Sequence, residues 1–226
     1  CPRTEAEDEY LKNDLLVLKE ALEIMFDQGH NKLTIGACCM SEFKKTIDKK
    51  DWYNFFPKLD QIELHPLYGA KTADEYIRKS YKGGWCYLAK GKEKQIKRKG
   101  CTADVNSLYP SVMHSESGNR YPVGKPNWWI GEIPQEALVE DHYFFVRIRC
   151  RFYLKSNMLP FIQIKGNLHY KPTKMLETSD VYNPRTKKYY RFLRKDGKDI
   201  PTTVELRLTK TDYYLFLEHY NVCDFE

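Results

Sequence analysis

The ten residues from Val146 to Lys155 constrain this chain most. Val146, Ile148, Cys150, Phe152 and Leu154 alternate with Arg147, Arg149, Arg151, Tyr153 and Lys155. Successive side chains of a β-strand point to opposite faces, so period two gives a half-buried strand with one apolar and one strongly basic face. The basic face has two readings. Its arginines stand in water, or, with no acid between them, Arg147, Arg149 and Arg151 meet an anionic partner.

The residues that follow supply more strand. Pro160 to Lys165 (PFIQIK) reads as a short one, and Thr203 to Leu208 alternates again through Val204, Leu206 and Leu208. Between them, Tyr182 to Asp199 carries Arg185, Lys187, Lys188, Arg191, Arg194, Lys195 and Lys198, interleaved with Tyr189, Tyr190 and Phe192. Asp196-Gly197 is a hairpin-turn signal. Basic residues alternating with aromatics form a nucleic-acid signal of low specificity. Thr209 is placed to cap a closing helix, Lys210 to Tyr220.

The first half has a different period. Leu11, Leu15, Leu18, Leu22 and Met25 recur at three- and four-residue spacing, which predicts a helix over residues 8 to 27. Asp8 and Glu9 favour its first turn, and Gly29 stops it. Leu33 to Lys45 and Ala73 to Ser80 suit short helices. Pro57 keeps the aromatic run Trp52 to Leu59 from becoming a long one, and His65 to Gly69 is a loop. Trp85 to Ala89 and Ile96 to Asp104 pair as a β-hairpin. Its tip, with Lys90, Lys92, Lys94, Lys97, Arg98 and Lys99, is either solvated or meets phosphates. Gly118 to Pro134, rich in Pro, Gly and Trp, is a loop near a subdomain boundary. The fold class is α+β: a helical N-terminal segment, a β-hairpin with a strand-turn-helix, and a small β-rich subdomain closed by a helix.

At 226 residues the chain suits one large or two small domains. A net charge of +6 fits a polyanion partner without demanding one. The seven cysteines include no C-x-x-C pair, which disfavours structural zinc and suits a reduced, intracellular thiol set. No signal peptide opens the sequence, and no apolar run is long enough to span a bilayer. Cys1-Pro2-Arg3 has no initiating Met, and the reading is of a piece of a longer chain.

Three short constellations carry chemistry. At Asp104 the pattern changes period, and Leu108, Val112 and Met113 suit a helical turn that tolerates Pro110 at its start. Asp104 at a strand end suits a hard-oxygen metal ligand, with the Val105 carbonyl as a second donor. Tyr109 is placed to lie under a sugar and exclude a 2′-hydroxyl, and Ser107 to hydrogen-bond a phosphate or template. The stretch holds one carboxylate, so it does not complete a two-metal clamp. Tyr81-Lys82-Gly83-Gly84 is either a plain turn or a place where a nucleic-acid backbone comes close. Tyr10 and Asp14 share a helix face, either as a surface pair or as a metal ligand with a partner that orients water.

Asp104-Val105-Asn106-Ser107-Leu108-Tyr109-Pro110-Ser111 resembles motif A of the B-family DNA polymerases, D-x-x-S-L-Y-P-S, with every defining position filled. Tyr81-Lys82-Gly83-Gly84 resembles that family's Y-x-G-G element, and Tyr10-Leu11-Lys12-Asn13-Asp14 its third exonuclease motif, Y-x-x-x-D. The three stand in the family's order. Ile148 to Phe152 and Leu159 to Lys165 resemble the insertion that marks the protein-primed branch of bacteriophages and linear plasmids, and the Tyr182 to Asp199 hairpin is extra or divergent.

The resemblance implies a DNA-directed DNA polymerase with an associated 3′-5′ exonuclease and Mg²⁺ as cofactor. The implied partners are primer-template DNA, dNTP and a terminal protein, with no membrane, and the place of action is the cytoplasm, of the host cell if viral. Residues 1-34 are expected to end the exonuclease domain, 35-115 to begin the palm, and 116-226 to form the terminal-protein-binding insertion. Asp104, Tyr10 and Asp14 are the expected catalytic residues, and Asp104, Val105 and Asp14 the metal ligands. Ser107, Leu108 and Tyr109 are expected to bind nucleotide, and Tyr81, Gly83, Gly84, Arg147, Arg149 and Arg151 to bind DNA. Two exonuclease motifs, the Lys-bearing motif B and the D-T-D of motif C are absent from these residues, so the isolated chain is expected to be inactive. The rival reading is a non-catalytic DNA- or terminal-protein-binding module.

Overall fold

The structure, a computed structural model, describes residues 4–89, 91–167, 169–171 and 174–225. The chain divides into two compact units: Cys1–Pro57 with Val123–Lys125, and Lys58–Pro122 with Pro126–Glu226.

The first unit is helical. Helix α1 (Glu5–Asp27) begins earlier than the leucine periodicity alone indicates, because Thr4 and Glu7 form a capping box. The Glu7 N–H donates to Thr4 Oγ1 at 3.3 Å, and the Thr4 N–H donates to Glu7 Oε2 at 2.8 Å. Its leucine stripe is not buried: Leu11, Leu15, Leu18 and Leu22 are all exposed. Helices α2 (Ile35–Lys45) and α3 (Lys49–Phe55) hold together through an aromatic cluster. The Phe43 ring lies 5.6 Å from Trp52, and Trp52 lies 4.6 Å from Phe56.

The second unit contains a three-stranded antiparallel sheet and the main core. Strand β1 (Phe145–Leu154) forms where the alternation requires it. Two further strands, β2 (Val181–Asn183) and β3 (Lys188–Tyr190), make one small hairpin, and β4 (Phe192–Lys195) and β5 (Lys198–Pro201) make another. The second turns at Asp196-Gly197 with both residues at positive φ, as a two-residue loop demands. The sheet order is β6–β1–β7, with β6 (Val204–Thr209) on the first half of β1 and β7 (Tyr220–Cys223) on the second. Three helices precede the sheet: α4 (Ala73–Arg78), α5 (Leu108–Met113) and α6 (Gln135–Leu138). The closing helix α7 (Lys210–His219) is capped by the Thr209 side chain, which accepts from the Asp212 N–H at 3.1 Å. Ile148, Cys150 and Phe152 from β1 meet Val204, Leu206 and Leu208 from β6 and Phe216 from α7 in one buried cluster. Burial pushes the Cys150 thiol up to about 12.

Two expected elements differ. Pro160 to Lys165 is not a strand among the described residues, although Phe161, Ile162 and Ile164 are core residues. Two of its N–H groups are satisfied by a side chain instead of a ladder, while the Ile162 carbonyl accepts from the Leu176 N–H at 2.9 Å. The buried Tyr220 hydroxyl accepts from the N–H groups of Phe161 at 2.9 Å and Ile162 at 3.3 Å, and donates to the Leu176 carbonyl at 2.9 Å. The hairpin expected over Trp85 to Asp104 is likewise not formed by the described residues, so Asp104 follows irregular chain rather than a strand; Lys90 lies outside the described residues. A lone two-stranded hairpin needs an apolar face packed on something. Here Trp85, Tyr87, Leu88 and Ile96 are exposed, and among the described residues only Trp85 of these finds a ring partner, Phe161 at 5.3 Å.

Candidate functional site

The Asp104 segment is built by an unusual backbone step. Ser107 precedes helix α5 at φ 49° and ψ 45°, in the left-handed region that residues with a Cβ rarely enter. The helix then starts at Leu108, with Pro110 in its first turn, where a missing N–H costs nothing. The Ser107 carbonyl accepts from the Ser111 N–H at 2.9 Å, and Ser111 Oγ donates to the Leu108 carbonyl at 2.8 Å. The far end of the helix is pinned at the Val112 carbonyl, which accepts from Ser117 Oγ, Asn119 Nδ2 and Tyr121 Oη. The turn leaves Asp104, Val105, Leu108 and Tyr109 exposed, Tyr109 at 73%. Asp104 has no hydrogen-bonded or ion-paired partner among the described residues.

The donors fit a divalent metal in kind: a carboxylate and a neighbouring carbonyl are hard oxygens. They do not fit a two-metal clamp in number. Among the described residues no group of three or more His, Cys, Asp or Glu is placed to hold a metal ion.

Tyr81 is exposed and begins a stretch without helix or strand. Gly83 and Gly84 have no positive φ, and a Cβ added at either meets nothing within 4 Å. Neither the backbone conformation nor crowding within the chain requires these two glycines. Lys82, between Tyr81 and Gly83 inside the same motif, is a further charged group that the motif pattern does not single out. Its ammonium is pushed down, first by burial and then by Lys165 and Arg207, while Asp212 works the other way.

The arginine face of β1 is only partly turned to water. Arg147 donates from Nε to Glu205 at 2.8 Å and from Nη1 to the Leu67 carbonyl at 2.7 Å. Arg207, buried at 7% exposure, donates from Nε to the same Glu205 at 3.0 Å and from Nη2 to the Gly69 carbonyl at 3.0 Å. Its guanidinium lies 4.8 Å over the Tyr76 ring. One carboxylate thus joins two arginines that grip the Pro66–Tyr68 turn. Burial works to raise the Glu205 carboxyl, but the hydrogen bonds from Arg147 and Arg207 outweigh it and hold it below the usual range. A Cβ on Gly69, at φ +66°, would lie 2.9 Å from Arg207 Nη2. Arg149 stands opposite Glu205 in the ladder, and Arg151 pairs with Asp224 at 3.0 Å. Tyr10 and Asp14 are exposed on α1, in the other unit. No helix among the described residues is long and apolar enough to cross a membrane.

Residues 4–214 match the model of a family described as DNA polymerase type B, organellar and viral. The chain is similar to the DNA polymerase of Bacillus phage Nf, at 35% identity over 225 residues, covering 99% of this chain and 33% of that protein. It is 32% identical to the DNA polymerase of Bacillus phage phi29 over 225 residues, with the same two coverages. Among solved structures it resembles phi29 DNA polymerase complexed with primer-template DNA and incoming nucleotide substrates. The TM-score is 0.63 at 29% identity, covering 100% of this chain and 33% of that one. The chain therefore spans about a third of the length of the curated relatives it matches.

Proposed function

This chain belongs to the organellar and viral type B DNA polymerases, and from that premise we propose that it is part of a protein-primed polymerase that adds dNTPs first to a terminal protein and then to a primer end. In the transfer, a hydroxyl oxygen attacks the α-phosphate of the dNTP, a phosphodiester bond forms, and pyrophosphate leaves. The observation that carries the reading is the Ser107 turn, which leaves Asp104 and Tyr109 exposed at the mouth of a short helix, within a fully matched D-x-x-S-L-Y-P-S sequence.

In this reading Asp104 and the Val105 carbonyl would hold Mg²⁺, with the other carboxylate supplied from the parts of the relatives' length that this chain does not span. When bound, the metal would offset charge on the reacting phosphate. Tyr109 sits under the deoxyribose and excludes a 2′-hydroxyl, while Ser107 and Leu108 line the nucleotide. Tyr81, Gly83 and Gly84 follow the primer-template, which accounts for two glycines that the chain's own packing does not require. Arg149 and Arg151 add phosphate contacts, and Arg147 does so from its bond to Glu205. Asp14 and Tyr10 serve a 3′-5′ exonuclease. Residues 1–34 end that domain, 35–115 begin the palm, and 116–226 form the insertion that meets the terminal protein. One candidate metal carboxylate in the palm segment leaves the isolated chain inactive.

The test is templated extension by the full-length protein, with terminal protein or a DNA primer, dNTPs and Mg²⁺. A product ladder that follows the template sequence is expected. Failure to extend either primer under any divalent metal would overturn the reading.

A further inference from the structure

The residues that lead into Tyr81 are closed into one piece by their own backbone. The Leu64 N–H donates to the Lys71 carbonyl at 2.9 Å, and the Ala73 N–H to the Ile62 carbonyl at 2.9 Å. The Thr72 side chain then caps α4, accepting from the Glu75 N–H at 3.3 Å. Buried Ser80 ends the piece, with its Oγ donating to the Ile77 carbonyl at 2.6 Å. Tyr81, Gly83 and Gly84 follow outside helix and strand, and a Cβ added at either glycine meets nothing within 4 Å. Their direction is set by whatever holds the piece before them.

The sheet holds that piece through charge. Arg147 on β1 and Arg207 on β6 share Glu205, and their remaining donors reach the turn. Arg147 Nη1 donates to the Leu67 carbonyl at 2.7 Å, and Arg207 Nη2 to the Gly69 carbonyl at 3.0 Å. Lys79, at the end of α4, donates to the same Gly69 carbonyl at 3.0 Å. The Arg207 guanidinium also lies 4.8 Å over the ring of Tyr76 on α4, and that ring meets Trp128 edge-on at 5.2 Å. Burial, and after it Lys165 and Arg207, push the Lys82 ammonium down against the pull of Asp212, so Arg207 reaches the motif itself by charge. Apolar packing at this place would let the piece slide. Planar donor forks fix direction as well as distance.

We infer that the Arg147–Glu205–Arg207 clasp is a positioning device: it fixes the turn at Leu67 and Gly69 and, through α4, the direction in which Tyr81, Gly83 and Gly84 meet primer-template DNA. Glu205 and Arg207 do this without touching DNA. The inference rests on the reading that Tyr81 follows the primer-template.

The test is equilibrium binding of a labelled primer-template to the full-length protein by fluorescence anisotropy, with circular dichroism on every variant. Arg207→Gln is expected to weaken binding about 3- to 30-fold, the range for residues that act through a packed network. Glu205→Gln, the milder change, is expected to act in the same direction, and it carries the test if Arg207→Gln does not fold. Tyr81→Ala should weaken binding as well. In that background either clasp substitution should add less than about twofold, because the group it aims is gone. Cys150→Ala removes core volume on the opposite face of β1, and it is expected to bind like the parent, which a general loss of stability would not allow. Folded clasp variants with parental affinity would overturn the inference. So would equal losses with and without the Tyr81 ring, or an equal loss in Cys150→Ala. Parental binding by Tyr81→Ala would sink the reading of Tyr81 and the inference with it. Weak binding by Tyr81→Ala beside parental clasp variants would leave that reading standing and remove the inference alone.

Discussion

Replacing Glu205 with Gln tests the packing of the second unit at its most charged point. Glu205 accepts hydrogen bonds from Arg147 Nε at 2.8 Å and Arg207 Nε at 3.0 Å, and lies 2.7 Å from Arg147 Nη2. Removing one partner of a buried ion pair costs roughly 3–5 kcal/mol, because the remaining charge keeps its desolvation penalty. Arg207 is in that position at 7% exposure, but the Glu205 side chain is 33% exposed, so water screens part of the loss. The expected cost of Glu205→Gln is therefore about 2–3 kcal/mol. For a domain of this size that is a fall in Tm of about 5–10 °C, read by near-UV circular dichroism.

The pH dependence fixes the sign. A carboxyl held below its ordinary 4.5 stabilises the fold fully above that value, and the stabilisation is lost as pH falls through the lowered folded value. The parent's advantage over Glu205→Gln should be constant near neutrality and shrink on acidification below about 4.5. A variant that melts within about 1 °C of the parent at pH 7 would refute the reasoning. So would a gap that widens in acid.

Tyr220→Phe deprives two backbone N–H groups of an acceptor and one carbonyl of a donor in a buried site. It should lower stability by about 1–3 kcal/mol in a urea titration, and an unchanged midpoint would remove the hydroxyl's structural role. The Cys150 thiol, pushed up to about 12, should resist a thiol reagent at pH 8 until the chain unfolds, while the exposed Cys39, Cys86 and Cys101 react at once. Mass spectrometry of the labelled peptides decides this, and early modification of Cys150 would contradict its burial. In the full-length protein Tyr109→Val should raise incorporation of ribonucleotides relative to deoxyribonucleotides by about 10–100-fold. An unchanged ratio would remove Tyr109 from the sugar site.

Local patterns were legible, and nonlocal partners were not. The period of β1, the cap at Thr209 and the turn at Asp196-Gly197 are written in neighbouring residues, and all three form as read. The start of α1 was equally legible in the Thr4-x-x-Glu7 spacing, which the leucine stripe obscured. By contrast, PFIQIK looks like a strand because it is apolar, yet two of its N–H groups, those of Phe161 and Ile162, are claimed by a tyrosine some sixty residues away. Arg147 and Arg151 of β1 looked unpaired because their acids, Glu205 and Asp224, lie on strands or ends that the fold brings back. At the candidate site the sequence named Asp104 and Tyr109, but only backbone angles reveal that Ser107 makes the turn in the left-handed region.

The central claim is that Asp104 holds the metal for nucleotidyl transfer. The most direct measurement is single-turnover primer extension by the full-length protein and its Asp104→Asn variant, with primer-template affinity measured in parallel. Loss of a metal-bound carboxylate should slow extension by about a thousandfold or more, several kcal/mol of charge stabilisation, while DNA binding stays within about twofold. Extension by Asp104→Asn at the parental rate would contradict the account.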